Sequence, residues 1–74
     1  MAPLSILRRQ RLLSQRDLAA KAGVALSTIH LVETRQVVPR LRTMRAICEA
    51  LGVEPSDVDE FRAALAGGED KLQD

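Results

Sequence analysis

Apolar residues recur at helical spacing along most of the chain. The clearest stripe lies within residues 40–51, where apolar side chains occupy positions i, i+3, i+6, i+7 and i+10: Leu41, Met44, Ile47, Cys48 and Leu51. Such spacing places these side chains on one face of a helix. Shorter stripes predict helices from the first residues to about Leu12, over about 15–22 and 26–34, and from Pro55 to Ala66. The pattern therefore predicts an all-α domain of five helices.

Residues 14–33 predict two short helices joined by a tight turn. Ser14 can cap the first of them, because its hydroxyl can accept a hydrogen bond from a free backbone N–H of the opening turn. Gly23 stands where this helix should end, and glycine adopts the left-handed conformation there without steric cost. A second apolar series begins at Ile29 and Val32. Two helices around a short glycine-containing turn are typical of a helix-turn-helix.

The breaks in the second half of the chain predict a single domain over 1–66. Pro39 ends the loop after the third helix, and Gly52 ends the fourth. The apolar face of the fifth helix is predicted to consist of Val58, Phe61 and Leu65. Residues 67–74 are polar and acidic after two glycines, which predicts a frayed tail.

The net charge of +1 conceals a strong asymmetry along the chain. Residues 46–74 contain two basic and eight acidic side chains, a net charge of −6. Residues 1–45 contain two acidic side chains, Asp17 and Glu33, and nine basic ones, a net charge of +7: Arg8, Arg9, Arg11, Arg16, Lys21, Arg35, Arg40, Arg42 and Arg45. A basic half that carries the helix-turn-helix predicts a phosphate-binding surface there. Ordinary solvated surface charge is the alternative interpretation.

Composition argues against several other classes of protein. Phe61 is the sole aromatic residue, which argues against nucleic-acid recognition by base stacking. The single cysteine, Cys48, is predicted to be a packed core thiol, and it excludes an internal disulfide. His30 has too few neighbouring ligands to predict a metal site.

No catalytic constellation stands out in the sequence. It lacks a glycine-rich phosphate loop, and 74 residues leave little room for a substrate cleft. It also lacks an apolar run long enough to span a membrane and a signal-like N-terminus. We therefore expect a cytoplasmic protein that is not an enzyme and uses no cofactor.

A series of short motifs carries a family resemblance: Leu13-Ser14-Gln15, Leu18-Ala19, Ala22-Gly23-Val24, Ser27-Thr28-Ile29, Glu33, Pro39 and Leu51-Gly52-Val53. In this order and spacing they resemble the DNA-binding domain of phage repressors, within the Xre-type (Cro/C1-type) transcriptional regulators. The resemblance covers roughly residues 4–62. It implies a compact five-helix domain that binds operator DNA, usually as a two-fold dimer with the third helix of each copy in a major groove.

The resemblance also implies which residues contact DNA. Gln15 would touch phosphate and brace the reading residues, and Arg16 lies beside it at the same helix end. The positions that read base edges in this family are occupied here by Leu26, Ser27, His30 and Leu31. Among them, Ser27 is the best candidate for a base hydrogen bond, since a hydroxyl can donate or accept in the major groove.

Further residues around the third helix are assigned by the same resemblance. Thr28 is open between phosphate contact and local capping. Thr34, Arg35 and Arg40 belong to the loop that runs along the sugar-phosphate backbone in the family, where nonspecific attraction is expected. Related regulators commonly have a glycine after the third helix, so Thr34-Arg35-Gln36 here allows that helix to extend by a residue or two.

The resemblance implies a structural ion pair as well. Arg8 of the first helix would meet Glu33 of the third in a partly buried pair that fixes one helix against the other.

Two leucines leave the function open between two classes. Related regulators often carry long polar side chains at positions 26 and 31, whereas this chain has Leu26 and Leu31. An exposed leucine can contact a thymine methyl group or belong to a protein interface.

The main hypothesis is a sequence-specific double-stranded DNA-binding regulator, a repressor and homodimer. The alternative is a protein-interaction or antitoxin-like module with a protein partner. Phe61 and Leu65 of the fifth helix are the expected dimer surface.

Overall fold

The computed structural model describes residues 1–66, which fold into five α-helices: α1 (Leu4–Gln10), α2 (Gln15–Ala22), α3 (Leu26–Glu33), α4 (Leu41–Leu51) and α5 (Asp59–Ala66). A 3₁₀ helix, Pro55–Asp57, precedes α5. These residues contain no β-strand beyond one isolated bridge between Ala2 and Val58. The all-α prediction is confirmed. The tail predicted at 67–74 lies outside the described residues.

Each helix contributes a fully inaccessible side chain to one shared core: Leu4, Leu18, Ile29, Ile47 and Phe61. Cys48 of α4 is buried in the same core, which confirms the prediction of a packed thiol. Burial raises the pKa of Cys48 to about 11, and the charges of Glu54 and Asp57 act in the same direction. The thiol is therefore protonated at neutral pH and behaves as an apolar core group.

Two predicted helix boundaries are wrong. The first helix ends at Gln10 because Leu12 adopts a left-handed conformation, with φ of 59°. The fifth helix begins at Asp59, because Pro55 opens a separate 3₁₀ helix and Val58 between them is extended. The third helix ends at Glu33 and does not extend further.

Within residues 1–66, the first four helices end in the same left-handed turn. Gly23 and Gly52 adopt it with φ of 73° and 71°, as their positions predicted. Leu12 and Arg35 adopt it as well, with φ of 59° and 58°. In each turn the next amide donates to the carbonyl five positions back: Leu13 to Arg8 (3.2 Å), Val24 to Ala19 (3.0 Å), Gln36 to Leu31 (2.9 Å) and Val53 to Cys48 (3.1 Å). Such bonds satisfy helix-end carbonyls that would otherwise lack partners.

A hydrogen-bonded seam joins the N-terminal residues to the start of α5. The Ala2 amide donates to the Asp57 carbonyl (3.0 Å), and the Asp59 amide donates to the Ala2 carbonyl (2.9 Å). The buried carboxylate of Glu60 accepts a bond from the Leu4 amide at 2.9 Å. Glu60 therefore caps α1, whose own preceding residue supplies no side-chain cap.

Candidate nucleic-acid interface

The start of α2 is fixed by a reciprocal capping box. The Ser14 hydroxyl accepts from the Asp17 amide (2.9 Å), and the Asp17 carboxylate accepts from the Ser14 amide (3.1 Å). The bond from the Ser14 backbone lowers the pKa of Asp17. Because the box sets where α2 begins, it places Gln15 and Arg16 in the first turn of that helix.

The start of α3 follows the Gly23 turn and carries no cap. Val24 packs against the core, and Ala25 is extended with no side chain bonded to the helix end. The first turn of α3 contains no acidic residue. The positive end of the α3 dipole therefore has neither a capping oxygen nor a negative side chain on it.

One face of α3 packs into the core and the opposite face is open. Ile29 and Val32 are buried, whereas Ser27, His30 and Thr34 are exposed. Leu26 is also exposed, as expected. Leu31 is half-buried, so it faces outward only in part. The open face thus presents a hydroxyl, an imidazole and one leucine.

The two threonines of this region differ in their hydrogen bonding. The Thr34 hydroxyl donates to the His30 carbonyl (2.8 Å) and accepts from the Gln36 side chain (2.9 Å), so it helps to end α3. Thr28 forms no side-chain hydrogen bond within residues 1–66. Local capping by Thr28, one of its two interpretations, is therefore absent from this part of the chain.

A buried network joins α1, α2 and α3 beneath the open face. The Arg8 guanidinium donates to both carboxylate oxygens of Glu33, with Nε–Oε2 at 2.7 Å and Nη2–Oε1 at 3.2 Å. A third Arg8 bond reaches the Leu13 carbonyl at 2.9 Å. The Gln15 amide donates to Glu33 Oε1 at 2.8 Å. The ion pair that the resemblance implies is thus present, and Gln15 is bonded to it.

The network decides the ionisation of Glu33. Burial on its own raises the pKa of a carboxyl, but hydrogen bonds from Arg8 and Gln15 and the Arg8 charge outweigh it, so the pKa of Glu33 is lowered. Glu33 is therefore ionised at neutral pH and keeps the bidentate Arg8 pair. Because Gln15 gives one amide hydrogen to Glu33, its second amide hydrogen is available to another acceptor.

Arg11 has a role that sequence reasoning missed. Its Nε donates to the Leu51 carbonyl at 2.6 Å and its Nη1 to the Leu7 carbonyl at 3.0 Å. The guanidinium thus caps the C-terminal end of α4, where a cation is favourable. In the sequence, Arg11 is recognisable only as one of the basic residues of the N-terminal half. The one sequence feature that could have indicated its capping role is Gly52, which marks the end of α4.

Three exposed arginines lie on the elements that directly precede and follow α3 in the chain. Arg16 is on the first turn of α2, and Arg40 immediately precedes α4. Arg35 occupies the left-handed turn after α3 and lines a shallow depression together with Asp59 and Ala63 of α5. Arg35 therefore lies next to α5 as well as to the loop that the resemblance assigns to the DNA backbone.

The expected dimer surface needs a correction. Phe61 has no exposed surface and belongs to the core, so it cannot contact a second molecule. The reason is the helix phase, since α5 starts at Asp59 and turns Glu60 and Phe61 inward. Leu65 is exposed and remains available. Replacement of Phe61 by arginine would therefore test folding rather than assembly.

Residues 1–66 offer no candidate metal site. No group of three or more His, Cys, Asp or Glu side chains is arranged to hold a metal ion in this part of the chain. No helix of the described residues is long and apolar enough to cross a membrane.

Comparison with known proteins gives one match. A protein-family model described as a helix-turn-helix domain matches residues 3–61 of the chain, from just before α1 into α5. No curated protein and no solved structure matches the chain. The matched range contains α2, the Gly23 turn and α3, together with the network formed by Arg8, Gln15 and Glu33.

Proposed function

Because the chain belongs to the helix-turn-helix domain family, we propose that it is a sequence-specific double-stranded DNA-binding regulator of the Xre type, acting in the cytoplasm as a repressor. The observation that carries the proposal is the open face of α3. Ser27 and His30 are exposed on it, while Ile29, Val32 and the ion pair of Arg8 hold the helix from behind. A helix presented in this way fits the major groove.

Base reading is assigned to the open face of α3. The Ser27 hydroxyl can donate to or accept from a base edge, and the His30 imidazole can do the same through its two nitrogens. Leu26 can pack against a thymine methyl group. Leu31 is half-buried, so its contribution to reading is smaller than that of the exposed positions.

Phosphate contacts are assigned to groups on either side of α3. The second amide hydrogen of Gln15, the guanidinium groups of Arg16, Arg35 and Arg40, and the Thr28 hydroxyl can each donate to a phosphate oxygen. Thr34 is a weaker candidate, because its hydroxyl already donates and accepts within the protein. These contacts fix the register of the protein on DNA but carry no sequence information.

The test is selection of bound duplexes from a random DNA pool, followed by titration of the selected duplex over a range of salt concentrations. We expect a palindromic motif with half-site centres about 34 Å apart, one helical turn. With roughly six phosphates neutralised by two copies, log K should fall about five times as fast as log salt concentration rises.

A matched pair of variants separates base reading from folding. Ser27→Ala should weaken binding to the selected duplex by about 1–3 kcal/mol, with little change on random DNA. The exposed residue Ala20, on α2, offers a control: Ala20→Ser adds a hydroxyl away from α3 and should change neither affinity. Enrichment of no motif at all, with weak salt-sensitive binding only, would contradict sequence-specific recognition.

The second candidate function is a protein-interaction or antitoxin-like module. Exposed Leu26 on the open face of α3 favours it, because an isolated apolar side chain reads little sequence. The same selection distinguishes the two functions. If the chain recognises a DNA sequence, Leu26→Gln should change the selected motif. If the chain binds only protein, neither the native chain nor Leu26→Gln should enrich a motif. We propose no catalytic role and no cofactor.

A further inference from the structure

A groove between α4 and α5 plays no part in the proposed contacts with DNA. It has a volume of about 450 Å³, and its lining comes from one face of α4, from residues 53–55 that follow it, and from Leu65 of α5. None of the residues assigned to DNA contact lines it. Concave sites of this size, mostly apolar with a few polar groups, are typical of small-molecule binding.

The floor of the groove and part of its rim are apolar. Met44 and Cys48, about one turn apart on α4, form the floor and are almost fully buried. Leu41 and Leu65 stand on the rim and remain 36% and 40% exposed. The fold therefore leaves apolar surface on the rim that only another molecule's apolar group would cover, and such burial favours binding.

The charged side chains that line the groove are one arginine and two glutamates. Arg45 and Glu49 lie one turn apart on α4, so their opposite charges largely offset each other. Glu54 follows the end of α4 and forms no ion pair within residues 1–66. The lining thus carries one uncompensated negative charge at the end of the groove beyond α4.

The pKa of Cys48 indicates the sign of the electrostatic potential at the floor. Burial raises this pKa first, and the negative charges of Glu54 and Asp57 raise it further. Because these carboxylates disfavour a negative charge at the floor, they favour a positive one there. A ligand that matches the groove therefore combines an apolar body with a cationic group.

We propose that the groove between α4 and α5 binds a small organic ammonium ion, with its apolar body over Met44 and Cys48 and its cationic group beside Glu49 and Glu54. Leu41 lies at the start of α4 and Glu49 eight residues later, about 12 Å along the helix axis. An ammonium on an unbranched chain can therefore lie along the groove from its apolar end to its acidic end. The site is separate from the open face of α3, so the inference goes beyond the proposed function and does not depend on it.

The first test is titration of the full chain with octylammonium, followed through the backbone amide signals in NMR spectra. Octanoate has a similar chain and the opposite charge, and ethylammonium has the same charge without the long chain. We expect octylammonium to bind saturably with a Kd of about 1 mM or tighter, at least about tenfold tighter than either of the other two. The amides that shift should be those of α4, residues 53–55 and Leu65.

Replacement of the two glutamates tests the choice of a cation. Glu49→Gln and Glu54→Gln should each weaken the binding of octylammonium about threefold or more and strengthen that of octanoate, because each removes one negative charge close to the bound group. Asp59→Asn removes a carboxylate that does not line the groove and is the matched control. It should change neither affinity, and an effect equal to that of Glu54→Gln would overturn the assigned position of the cation.

Replacement of a rim leucine tests the apolar part of the site. Leu65 lines the groove, whereas Leu12 lies outside it and is 92% exposed, so glutamine at either position leaves the core intact. Leu65→Gln should weaken octylammonium binding about threefold or more, and Leu12→Gln should leave it unchanged. Thermal unfolding gives a second measurement, since a ligand that binds the folded state raises the Tm, and the rise should be smaller for Leu65→Gln than for Leu12→Gln.

The inference is overturned if octylammonium does not bind saturably below about 10 mM, or if octanoate binds as tightly. It is also overturned if the shifted amides lie outside the groove. Occupation of the groove by a second copy of the chain would overturn it as well: the same amides would then shift with protein concentration alone, and octylammonium would not compete.

Failure of the proposed function gives a different result. A chain that enriches no DNA motif but binds octylammonium through Glu54 and Leu65 loses its role on DNA and keeps this site.

Discussion

The guanidinium of Arg8 joins three parts of the chain through its bonds to Glu33 and to the Leu13 carbonyl. It is almost inaccessible to water, with 8% of its side chain exposed, and Glu33 is 6% exposed. Such a pair gives little net stability relative to apolar residues, but it strongly penalises removal of one partner. Its value here is geometric, because it sets the angle and depth of α3 relative to α1.

Removal of one partner of the Arg8–Glu33 pair should destabilise the domain far more than removal of both. Arg8→Met should lower the free energy of unfolding by about 3–5 kcal/mol, because Glu33 would remain buried with Gln15 as its one side-chain donor. Arg8→Met combined with Glu33→Leu should cost much less than the single change, since no charge is then left unpaired. Urea denaturation of the native chain and both variants measures the difference. Equal losses in the single and double variants would rule out an energetic coupling.

The pH dependence of the same pair has a definite sign. The folded-state pKa of Glu33 lies below its usual value of 4.5, so its contribution is fully present above that value. It is lost as the pH falls through the lower, folded-state pKa. The native chain should therefore lose more stability on acidification below about pH 5 than the double variant does.

Arg11 should contribute to stability and not to DNA binding. Arg11→Met should lower the free energy of unfolding by about 1.5–3 kcal/mol, because the Leu51 carbonyl loses a charged donor. It should leave the salt dependence of DNA binding unchanged, since this guanidinium faces the protein. Arg16→Met is the matched control and should do the reverse, with stability unchanged and the salt slope reduced by about 0.9 for each copy. An altered salt slope in Arg11→Met would contradict the capping role.

The two arginines illustrate what single residues reveal in a sequence. The pairing of Arg8 with Glu33 could be anticipated because a family resemblance supplies both partners. Arg11 could not be placed, because its partner is a backbone carbonyl 40 positions away and carbonyls leave no mark on sequence. Gln15 lies between these cases, since its bond to Glu33 depends on how closely α2 approaches α3.

At the scale of elements, helix ends distinguish what sequence can and cannot specify. Gly23 and Gly52 were recognisable because glycine is the residue that tolerates left-handed backbone. Leu12 and Arg35 adopt the same conformation without any such signal, which is why the end of α1 was misplaced. Similarly, Pro55 suits the first turn of either an α-helix or a 3₁₀ helix, and the sequence does not reveal that Val58, three positions later, is extended and pairs with Ala2.

Substitutions in the left-handed turns at Leu12 and Gly23 should change the free energy of unfolding in opposite directions. Leu12→Gly should raise the free energy of unfolding by about 0.5–1 kcal/mol, because a left-handed L-residue is strained and this side chain is almost fully exposed. Gly23→Ala should lower it by about 1 kcal/mol, although an added Cβ meets no atom within 4 Å. Thermal or urea unfolding measures both, with Leu12→Ala as a control that should give no gain. A gain from Leu12→Ala equal to that from Leu12→Gly would exclude backbone strain.

At the scale of the whole molecule, the two halves of the chain differ in net charge and in the surfaces that they expose. The basic N-terminal half carries the open face of α3, and the acidic half carries α5, whose flanking grooves are lined by residues of both halves. The division of charge between the two halves could be predicted from the sequence. The exposed apolar positions could not be predicted, because Val37, Val38 and Leu65 look like core residues in the sequence and only the fold shows that their side chains face solvent.

The seam between Ala2, Leu4 and the start of α5 has a consequence for how the domain forms. The bond from Leu4 to Glu60 spans 56 positions, whereas most helix-turn contacts close over a few residues. Closing a loop of that length costs about 3–4 kcal/mol of chain entropy, which the other helices can reduce by assembling first. The seam is therefore expected to close late in folding, after α1 to α4 have gathered, and α5 to be the last helix to lock in place.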